Sequence, residues 1–540
     1  MKLSRLLKSV KVKRITGTGG VVASGDSVTK QYLKITPEIK SVHYRAQDVK
    51  PGGLFVAVSG FRADGHDFID EALARGASAV VVQKPVEKPI KKSVVVEVEN
   101  TRKALSEIST SFYENPSGKL SVTGITGTNG KTTTAYLIES ILSAAGVNVG
   151  VIGTINYRYL GKTFENPVTT PESLDLQRIL SDMLKEGITH VIVEVSSHAL
   201  DLFRVHNCWF DVGVFTNLTR DHLDYHDDME SYGSCKEKLF TKYLNSGPKK
   251  DRATAVINCN DPLGKKLVRK LPCHTLSVGH FADNTIRPGN VKLDITGIEG
   301  KILATTNTAT SGEFDFISPL VGAYNLENIL CAVGAGFALN FSVDAIKAGI
   351  RNLSFVPGRL ERVPGNTERF VYIDYAHTPD ALENVLSSIR SLLTGGTDGG
   401  IDLGKKRIIC IFGCGGDRDK GKRPRMGEIA AKLCDLVIIT SDNPRREAPM
   451  EIISQIVDGT NKVCLHKYDL PDFKSGFQKK GYVVEPDRAN AINLGIAISR
   501  PGDIVLIAGK GHETYQIIGK NIIPFDDKKE AIKALLKYDS

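Results

Sequence analysis

Short apolar runs recur along the chain and alternate with segments whose apolar residues follow helical spacing. Runs that are apolar throughout are typical of strands buried on both faces, as in parallel sheets covered by helices. The pattern therefore predicts an α/β protein in which ligands bind at the carboxyl ends of the strands. The predicted strands cover residues 54–58, 79–82, 94–98, 120–125, 190–195, 212–216, 254–257, 370–373, 408–412, 436–440 and 504–508.

The chain is too long for a single hydrophobic core, because its 540 residues exceed the size at which proteins divide into domains. The segment Asn115-Pro-Ser-Gly118 punctuates the end of the first part. We predict three domains: residues 1–118, a central domain at 119–356 and a Rossmann-like C-terminal domain at 357–540.

Composition removes several classes of protein. The net charge of +9 suits an anionic substrate but is too modest to indicate nucleic acid. Residues 1–13 lack the apolar core of a signal peptide. The apolar region 320–341 is broken by Asn325, Glu327 and Asn328, so it predicts a buried helix and no membrane span. Nine cysteines without metal-like spacing indicate reduced thiols in a cytoplasmic protein.

A glycine-rich turn, Gly127-Thr-Asn-Gly-Lys-Thr132, follows the predicted strand 120–125 and opens an amphipathic segment. Strand, turn and helix in this order predict a phosphate-binding loop, since glycines let backbone N–H groups approach phosphate oxygens and a helix N-terminus favours anions. Lys131 adds a positive charge, and Thr132 offers a hydroxyl to Mg²⁺. The central domain is therefore predicted to be a P-loop-type ATPase domain. The loop is a variant, because Ile125 stands where the common motif has its first glycine.

Polar residues follow six of the predicted strands. A single polar strand end usually marks a turn, but six of them in two sheets indicate two facing sites. Glu194 can ligate a nucleotide-bound Mg²⁺ or cap a helix, and Asp221 and His222 can bind a second cation, orient a water or be structural. The six polar strand ends are residues 194–198, 216–224, 374–379, 413–423, 442–445 and 509–513.

The last region carries charges suited to an amino acid. Asp442, Asn443 and Arg445 supply an anion, an amide and a cation within four residues, or alternatively a helix cap. ATP at one sheet and an amino acid at the other favour an ATP-dependent ligase, in which an amine attacks an acyl phosphate. Pro444 stiffens this loop, and Glu513 adds a carboxylate close to Gly509. A further loop carries Arg418, Lys420, Lys422 and Arg423. This loop can bind carboxylates or phosphates, or alternatively it is a solvated basic loop.

Further motifs extend this series in a fixed order. They are Gly127-Thr-Asn-Gly-Lys-Thr132, Glu194-Val-Ser-Ser-His198, Asn217-Leu-Thr-Arg-Asp-His-Leu-Asp224, Gly322-Ala-Tyr-Asn-Leu-Glu-Asn328, Pro357-Gly-Arg359, Asp374-Tyr-Ala-His-Thr-Pro379, Asp442-Asn-Pro-Arg445 and Gly509-Lys-Gly-His-Glu513.

In this order, and over nearly the whole chain, these motifs resemble the Mur ligase family. The Asp-Asn-Pro-Arg motif is similar to that of its diaminopimelate-adding branch. The resemblance implies a cytoplasmic, monomeric enzyme that joins meso-diaminopimelate to the D-glutamate γ-carboxylate of UDP-MurNAc-L-Ala-D-Glu in peptidoglycan precursor synthesis, using ATP and Mg²⁺. It also implies a UDP-sugar-binding first domain, a central ATP-binding domain and a C-terminal amino-acid-binding domain.

The resemblance implies roles at the matching positions for ATP and the metal. Lys236 matches a lysine that the family carbamylates, whereas its helical pattern alone predicts a surface lysine. Catalytic roles fall to Lys131, Glu194, His222 and Lys236. ATP is expected at Gly127, Thr128, Asn129, Gly130, Lys131, Thr132, Thr133, Asn325, Arg359 and Asp374, and Mg²⁺ at Thr132, Glu194, His222 and the carbamate of Lys236.

The other two substrates are assigned in the same way. Two departures stand out: Arg45-Ala-Gln47 replaces a common Asp-Ser-Arg, and Leu202 replaces a glutamine of some relatives. Diaminopimelate is expected at Arg418, Asp442, Asn443, Pro444, Arg445, Gly509 and Glu513; the UDP-dipeptide at Thr169, Thr170, Ser196 and Arg204; and the uridine near residues 61–65.

Three alternatives stay open. One is an L-lysine-adding ligase of the same family, against which the charge of Arg445 argues because lysine lacks a distal carboxylate. Another is a folate polyglutamate ligase, against which the first domain and the Asp-Asn-Pro-Arg motif argue. The last is a nucleotide-binding regulator without catalysis, which the intact Lys131, Glu194, His222 and Lys236 disfavour.

Overall fold

Three mixed sheets, each packed between helices, form the body of the protein. The predicted α/β class is confirmed. The predicted domain limits at 118/119 and 356/357 stay a prediction. Of the residues expected near the uridine, Phe61 and Arg62 lie outside the described part of the chain. The computed structural model describes residues 1–17, 20–24, 37–60, 63–86, 90, 92–222, 225–305, 312–365, 369–394, 406–463 and 466–538.

The first sheet has six strands in the order β2-β1-β6-β5-β4-β3. The run β3 to β6 is parallel, and β1 and β2 extend it antiparallel. Its continuous apolar strands put Leu54 and Val56 against α1 and α3, and Phe55 and Val80 against α2. The elements are β1 Val12–Gly17, β2 Gly20–Ser24, β3 Ser41–His43, β4 Gly53–Val56, β5 Ala79–Val82, β6 Val94–Val98, α1 Leu3–Leu6, α2 Ile69–Ala74 and α3 Thr101–Phe112.

The central sheet has eleven strands in the order β10-β9-β8-β11-β7-β12-β13-β14-β15-β16-β17. The six strands in the middle of this order, from β8 across to β14, are parallel. The antiparallel strands β9 and β10 extend the sheet beyond β8, and the meander β15 to β17 extends it beyond β14. The strands are β7 Ser121–Thr126, β8 Val149–Ile152, β9 Tyr157–Tyr159, β10 Lys162–Phe164, β11 His190–Glu194, β12 Val212–Phe215, β13 Thr254–Asn258, β14 His274–Val278, β15 Ile286–Asp294, β16 Gly297–Ala304 and β17 Gly312–Ser318.

Helices cover both faces of this sheet. The apolar helix predicted within 320–341 is confirmed as the buried helix Ala323–Ala338. No helix in the described ranges combines the length and apolar character needed to cross a membrane. One face carries α4 Lys131–Ala144, α9 Ala323–Ala338 and α10 Val343–Asn352, and the other carries α5 Ser173–Lys185, α6 Ser197–Asp201, α7 Met229–Lys238 and α8 Pro262–Lys270.

The last sheet has seven strands in the order β18-β19-β24-β20-β21-β23-β22, parallel except for the edge strand β18. A separate hairpin, β25–β26, stands beside its carboxyl edge. The elements are β18 Glu361–Arg362, β19 Phe370–Asp374, β20 Ile408–Phe412, β21 Leu436–Ile439, β22 His466–Lys467, β23 Gly481–Val484, β24 Ile504–Ala508, β25 Tyr515–Ile518, β26 Asn521–Pro524, α11 Pro379–Thr394, α12 Lys422–Leu433, α13 Pro449–Asn461, α14 Arg488–Ala497 and α15 Asp527–Tyr538.

A buried ion pair fastens the carboxyl edge of this sheet. Arg488 donates from Nε and Nη2 to the two carboxylate oxygens of Asp527, each at 2.7 Å, and both side chains are fully buried. The same guanidinium donates to the carbonyl oxygens of Ser441 and Ala508, which follow β21 and end β24. The pair therefore holds together two strand ends from which site residues project.

Replacing one residue of the Arg488–Asp527 pair should lower the stability of the last domain. Arg488→Met is expected to lower the free energy of unfolding by about 3–5 kcal/mol, because it leaves the Asp527 carboxylate buried without its partner. Guanidinium denaturation followed by circular dichroism measures the change. Arg488→Met combined with Asp527→Leu should recover most of it, and an equal loss in single and double variants would contradict the account.

Candidate active site

The glycine-rich turn between β7 and α4 is a tight loop with no room for side chains at two glycines. Gly127 has φ +153°, and a Cβ there would fall 1.9 Å from Thr216 Oγ1. Gly130 has φ +84°, and its Cβ would fall 2.3 Å from Asn328 Oδ1. Only glycine therefore permits this close approach of backbone, which suits a loop that wraps phosphate oxygens.

Two lysines converge on this loop. Lys131 Nζ donates to the carbonyl oxygens of Gly127 and Thr128, each at 2.9 Å, and Lys236 Nζ donates to the same Gly127 oxygen at 2.8 Å. Burial lowers the pKa of both ammonium groups, and the charge of Lys131 lowers that of Lys236 further. Like charges held together in a buried loop favour an anion beside them.

Glu194 lies fully buried at the end of β11, directly beside the loop. Its carboxylate accepts hydrogen bonds from Thr132 Oγ1 at 3.0 Å, Thr154 N at 3.1 Å and Thr154 Oγ1 at 2.8 Å. Thr132 and Glu194 thus place two hard oxygen donors together, which fits Mg²⁺. Thr154, which the sequence analysis missed, fixes the carboxylate and follows the end of β8.

His222 adopts the left-handed conformation, with φ +53°, and its side chain is 45% exposed. Its ring centroid lies 6.0 Å from that of Tyr232, and Lys236 Nζ lies 4.4 Å from the same Tyr232 centroid. His222 and Lys236 therefore border one aromatic ring. Within the part of the chain that the structure describes, no group of three or more His, Cys, Asp or Glu is arranged to hold a metal.

Lys236 is 1% exposed, so its helical pattern alone was misleading. Lys236 lies near the end of α7, a helix whose many polar residues are typical of a solvated surface helix. The Tyr232 ring and the Gly127 carbonyl receive the side chain on the inner face. The interpretation as a surface lysine is therefore wrong, whereas its carbamylation stays a prediction.

The residues expected at the UDP-dipeptide form a connected chain of hydrogen bonds. Thr170 Oγ1 donates to the Glu194 carbonyl at 2.8 Å and accepts from Ser196 N at 3.0 Å. Arg204 Nη1 donates to the Thr170 carbonyl at 3.1 Å. Thr169 Oγ1 lies 3.2 Å from Thr154 Oγ1. These contacts bring all four residues to the carboxyl end of β11.

An ion-pair network joins this group to the first domain. Glu172 Oε2 lies 3.5 Å from Arg204 Nε and 3.1 Å from Arg102 Nη1 on α3. Arg102 Nη2 also donates to the Ser59 carbonyl at 2.9 Å. The first domain therefore stands over the residues expected to hold the dipeptide. Ala46, one of the departures from the family pattern, is buried in the core of that domain.

The remaining predicted nucleotide residues come from two domains. Asn325 is buried on α9, donates to the Val321 carbonyl at 2.7 Å and accepts from Asn328 Nδ2 at 2.9 Å. Arg359 lies over the ring of Tyr375, with its guanidinium carbon 4.7 Å from the ring centroid. Asp374 accepts from Leu360 N and Ala376 N, and burial raises the pKa of Asp374 while Arg359 opposes that change.

The neighbouring strands β19, β24, β20 and β21 gather the predicted amino-acid residues at one edge. Asn443 Nδ2 donates to Glu513 Oε2 at 2.9 Å, and Arg445 Nη1 donates to the Gly416 carbonyl at 2.9 Å. Gly509 has φ +114°, and a Cβ there would lie 3.8 Å from Asp442 Oδ2. Burial and the charge of Asp442 raise the pKa of Glu513. Pro444 lies between Asn443 and Arg445 in this loop.

The cations around the start of α12 make hydrogen bonds and ion pairs with other residues of the protein. Arg423 is fully buried and donates to both carboxylate oxygens of Glu447 at 2.9 Å. Lys420 pairs with the same carboxylate at 3.5 Å, and Lys422 donates to the His377 carbonyl at 2.8 Å. Arg423 is therefore enclosed and paired, whereas a ligand-facing role for Lys420 and Lys422 stays a prediction. Arg418 is exposed, and Nη1 donates to the Asp417 carbonyl at 3.3 Å.

The two sites face each other across the domain boundary. The backbone of Arg220, in the loop after β12, hydrogen-bonds the Asp380 carboxylate at the start of α11. His377 lies within electrostatic reach of both Asp221 and Asp442, and burial followed by the charge of Lys422 lowers the pKa of His377. His377 is thus coupled electrostatically to an acidic residue of each domain.

Comparison with known proteins gives a consistent result. Three family models match: the Mur ligase family, catalytic domain over residues 38–113, the Mur ligase middle domain over 125–336 and the Mur ligase, glutamate ligase domain over 358–511.

Relatives match over nearly the whole chain. The UDP-N-acetylmuramoyl-L-alanyl-D-glutamate–2,6-diaminopimelate ligase of Geobacter metallireducens is 47% identical over 93% of this chain and 95% of its own. The ligase of the same name from Bacillus cereus is 40% identical over 93% and 95%. A solved structure of a ligase with this name is 29% identical, with a TM-score of 0.64 over 93% of this chain and 96% of that one.

Loss of the loop lysine should abolish phosphoryl chemistry. Lys131→Ala is expected to lower ATP-dependent phosphate release by about a hundredfold or more, because it removes the cation expected to stabilise the transferring phosphoryl group. A phosphate-release assay measures the rate. Lys270→Ala, on the surface of the same domain and paired with Glu237, is the control and should change little. Near-normal turnover of Lys131→Ala would contradict this role.

Proposed function

The chain belongs to the Mur ligase family, and we propose that it is an ATP-dependent ligase joining meso-diaminopimelate to UDP-MurNAc-L-Ala-D-Glu in peptidoglycan precursor synthesis. The observation that carries the proposal is the contact between the central and last domains next to two residue groups, where the backbone of Arg220 hydrogen-bonds the Asp380 carboxylate. Lys131 and Glu194 stand at the carboxyl edge of the central sheet, and Asp442, Asn443 and Arg445 stand at that of the last sheet. The predicted division into UDP-sugar-binding, ATP-binding and amino-acid-binding domains is part of this proposal.

The reaction couples two transfers. The γ-phosphoryl group of ATP passes to the D-glutamate γ-carboxylate and gives an acyl phosphate. The diaminopimelate amine then attacks that carbonyl, phosphate leaves, and an amide bond forms. Lys131 and the backbone N–H groups of residues 127–133 hold the ATP phosphates and stabilise charge on the transferring group. Asn325, Arg359 and Asp374 position the rest of the nucleotide.

A divalent metal is part of this proposal. Thr132, Glu194, His222 and a carbamate on Lys236 would hold Mg²⁺, which when bound neutralises phosphate charge. Burial favours the neutral amine of Lys236. That amine can add to CO₂, forming an N–C bond and releasing a proton, and the product is a carboxylate-like anion. The modification would replace a cation, which repels the metal, with an anion that binds it.

Substrate recognition divides between the outer domains. Thr169, Thr170, Ser196 and Arg204 would bind the dipeptide and present its carboxylate to the phosphate loop, while the first domain holds the uridine end. Asp442 and Glu513 would bind an ammonium group of diaminopimelate, and the Asn443 amide would hydrogen-bond its polar atoms. Arg445 is expected to form an ion pair with the distal carboxylate. Arg418, Pro444 and Gly509 would complete the diaminopimelate site.

The cellular setting follows from the cysteines. All eight cysteines in the described ranges are free thiols. Free thiols persist in a reducing compartment. We therefore place the enzyme in the cytoplasm, where it acts as a monomer on UDP-linked substrate without nucleic acid.

The whole proposal is tested by substrate dependence. Phosphate release should require the UDP-dipeptide and meso-diaminopimelate together, and the product mass should rise by one diaminopimelate less one water. Release that needs neither substrate would favour a nucleotide-binding regulator. Release driven by a folate substrate and glutamate would favour the polyglutamate ligase.

Replacing Arg445 should weaken binding of the amino acid and leave binding of ATP nearly unchanged. Arg445→Ala is expected to raise the KM for diaminopimelate by about thirtyfold or more, since loss of the charged partner of the distal carboxylate costs about 2 kcal/mol or more. The KM for ATP should stay within about twofold by the same initial-rate assay. Arg446→Ala, an exposed neighbour paired with Asp417, is the matched control. Equal effects of Arg445→Ala on both KM values would refute the assignment.

Lys236 should act through its carbamate. Lys236→Ala is expected to inactivate the enzyme, and short carboxylates such as formate should restore part of the rate because they supply the missing anion. The same carboxylates should not rescue Lys131→Ala. Isotopically labelled CO₂ should give a carbamate signal by carbon NMR in wild type and not in Lys236→Ala, and its absence from active wild-type enzyme would remove this claim.

A further inference from the structure

Lys510 is a fully buried cation at the centre of the amino-acid residues, and the sequence analysis gave it no role. It lies between Gly509 and Gly511, at the turn that follows β24. Its ammonium donates to Asn443 Oδ1 at 3.0 Å and to the Tyr515 carbonyl at 2.7 Å. The side chain therefore joins the strand-end loop of β21 to the hairpin β25–β26.

The same ammonium balances two carboxylates. Lys510 Nζ lies 3.3 Å from Asp442 Oδ1 and 3.7 Å from Glu513 Oε2. Asp442 Oδ1 is buried and accepts no hydrogen bond from any described residue, so this ion pair is its compensation. In the described ranges, Lys510 is the residue that forms ion pairs with Asp442 and Glu513.

Two other cations, Arg445 and Arg488, lie within electrostatic reach of these carboxylates, but their hydrogen bonds go to other groups. Arg488 is held by Asp527, and Arg445 Nη1 donates to the Gly416 carbonyl. The remaining groups within electrostatic reach of Asp442 or Glu513 are Tyr375, Tyr515 and His377, none of which supplies a fixed positive charge. Like charges on neighbouring carboxylates disfavour the second ionisation, and the Lys510 ion pairs oppose that effect.

We propose that Lys510 is the positioning residue of the amino-acid site: its ion pairs hold the Asp442 and Glu513 carboxylates side by side, and it turns Asn443 so that its amide N–H faces Glu513. The inference rests on the proposed function. Because Lys510 is enclosed, it acts on the substrate only through these three side chains. Their two negative charges are then available to the ammonium of the incoming amino acid.

The orientation of Asn443 follows from the same contacts. Its Oδ1 accepts from Lys510 Nζ and from Ile517 N, the latter at 3.0 Å. Both donors hold the oxygen on the hairpin side, so Nδ2 points to Glu513. Loss of the ammonium would leave Ile517 N as the one remaining donor to this oxygen and would weaken the preference for this amide orientation.

The test replaces the charge and follows the KM. Lys510→Met should raise the KM for meso-diaminopimelate at least about tenfold, with kcat and the KM for ATP and UDP-dipeptide changed less. It should also add a pH dependence. The KM of this variant should fall as pH rises, because a carboxylate that has taken up a proton regains its negative charge above its raised pKa. In the wild-type protein the step should lie at lower pH, because the charge of Lys510 opposes the rise in the pKa of Glu513.

Two further variants separate charge from packing. Lys510→Arg keeps the charge and should recover part of the KM, whereas Lys510→Gln should behave like Lys510→Met. Lys249→Met removes another buried lysine, paired with Asp211 at 2.6 Å in the central domain, and should lower stability without moving the KM or its pH profile.

The outcomes distinguish this inference from the proposed function. Wild-type enzyme that does not ligate diaminopimelate refutes the function itself. Wild-type enzyme that does, with equal KM values and pH profiles for Lys510→Arg and Lys510→Gln, refutes the positioning role. If Lys510→Met does not fold, the comparison of Lys510→Arg with Lys510→Gln still decides the matter.

Discussion

The side-chain nitrogens of Lys131 and Lys236 share one carbonyl oxygen at Gly127, and the catalytic site depends on how charge is balanced around this loop. The loop backbone passes so close to Thr216 at Gly127 that it leaves no space for a Cβ there. Buried Glu194 stands next to them and is fixed by Thr132 and Thr154. A loop charged in this way gains most when phosphate oxygens supply the missing negative charge.

The last domain meets the same constraint with different residues. Charges brought to the carboxyl edge of a parallel sheet are partly enclosed, and an enclosed charge is costly unless paired. The pairs Arg423 with Glu447 and Arg488 with Asp527 therefore fix the loops, and Lys510 fixes the residues that face the substrate. The domain thus separates cations that build the site from those, such as Arg445, expected to meet the ligand.

Much of this could be predicted because continuous apolar runs such as residues 408–412 permit few structures, and site residues follow such strands directly. The antiparallel meander β15 to β17 was missed, since its buried positions, such as Ile298 and Phe316, alternate with polar ones and carry a weaker pattern. The burial of Lys236 and the pairing of Arg423 with Glu447 depend on partners distant in sequence. Side-chain pairing of that kind leaves no local signal.

The central claim is that the two sheets bring a phosphate loop and a diaminopimelate site to one reaction. Competition tests it most directly: equal concentrations of meso-diaminopimelate and L-lysine are supplied with UDP-MurNAc-L-Ala-D-Glu and ATP, and the two products are quantified by mass. The account predicts a large excess of the diaminopimelate product, because Arg445 offers a charge that only its distal carboxylate can use. An equal or greater yield of the lysine product would contradict it.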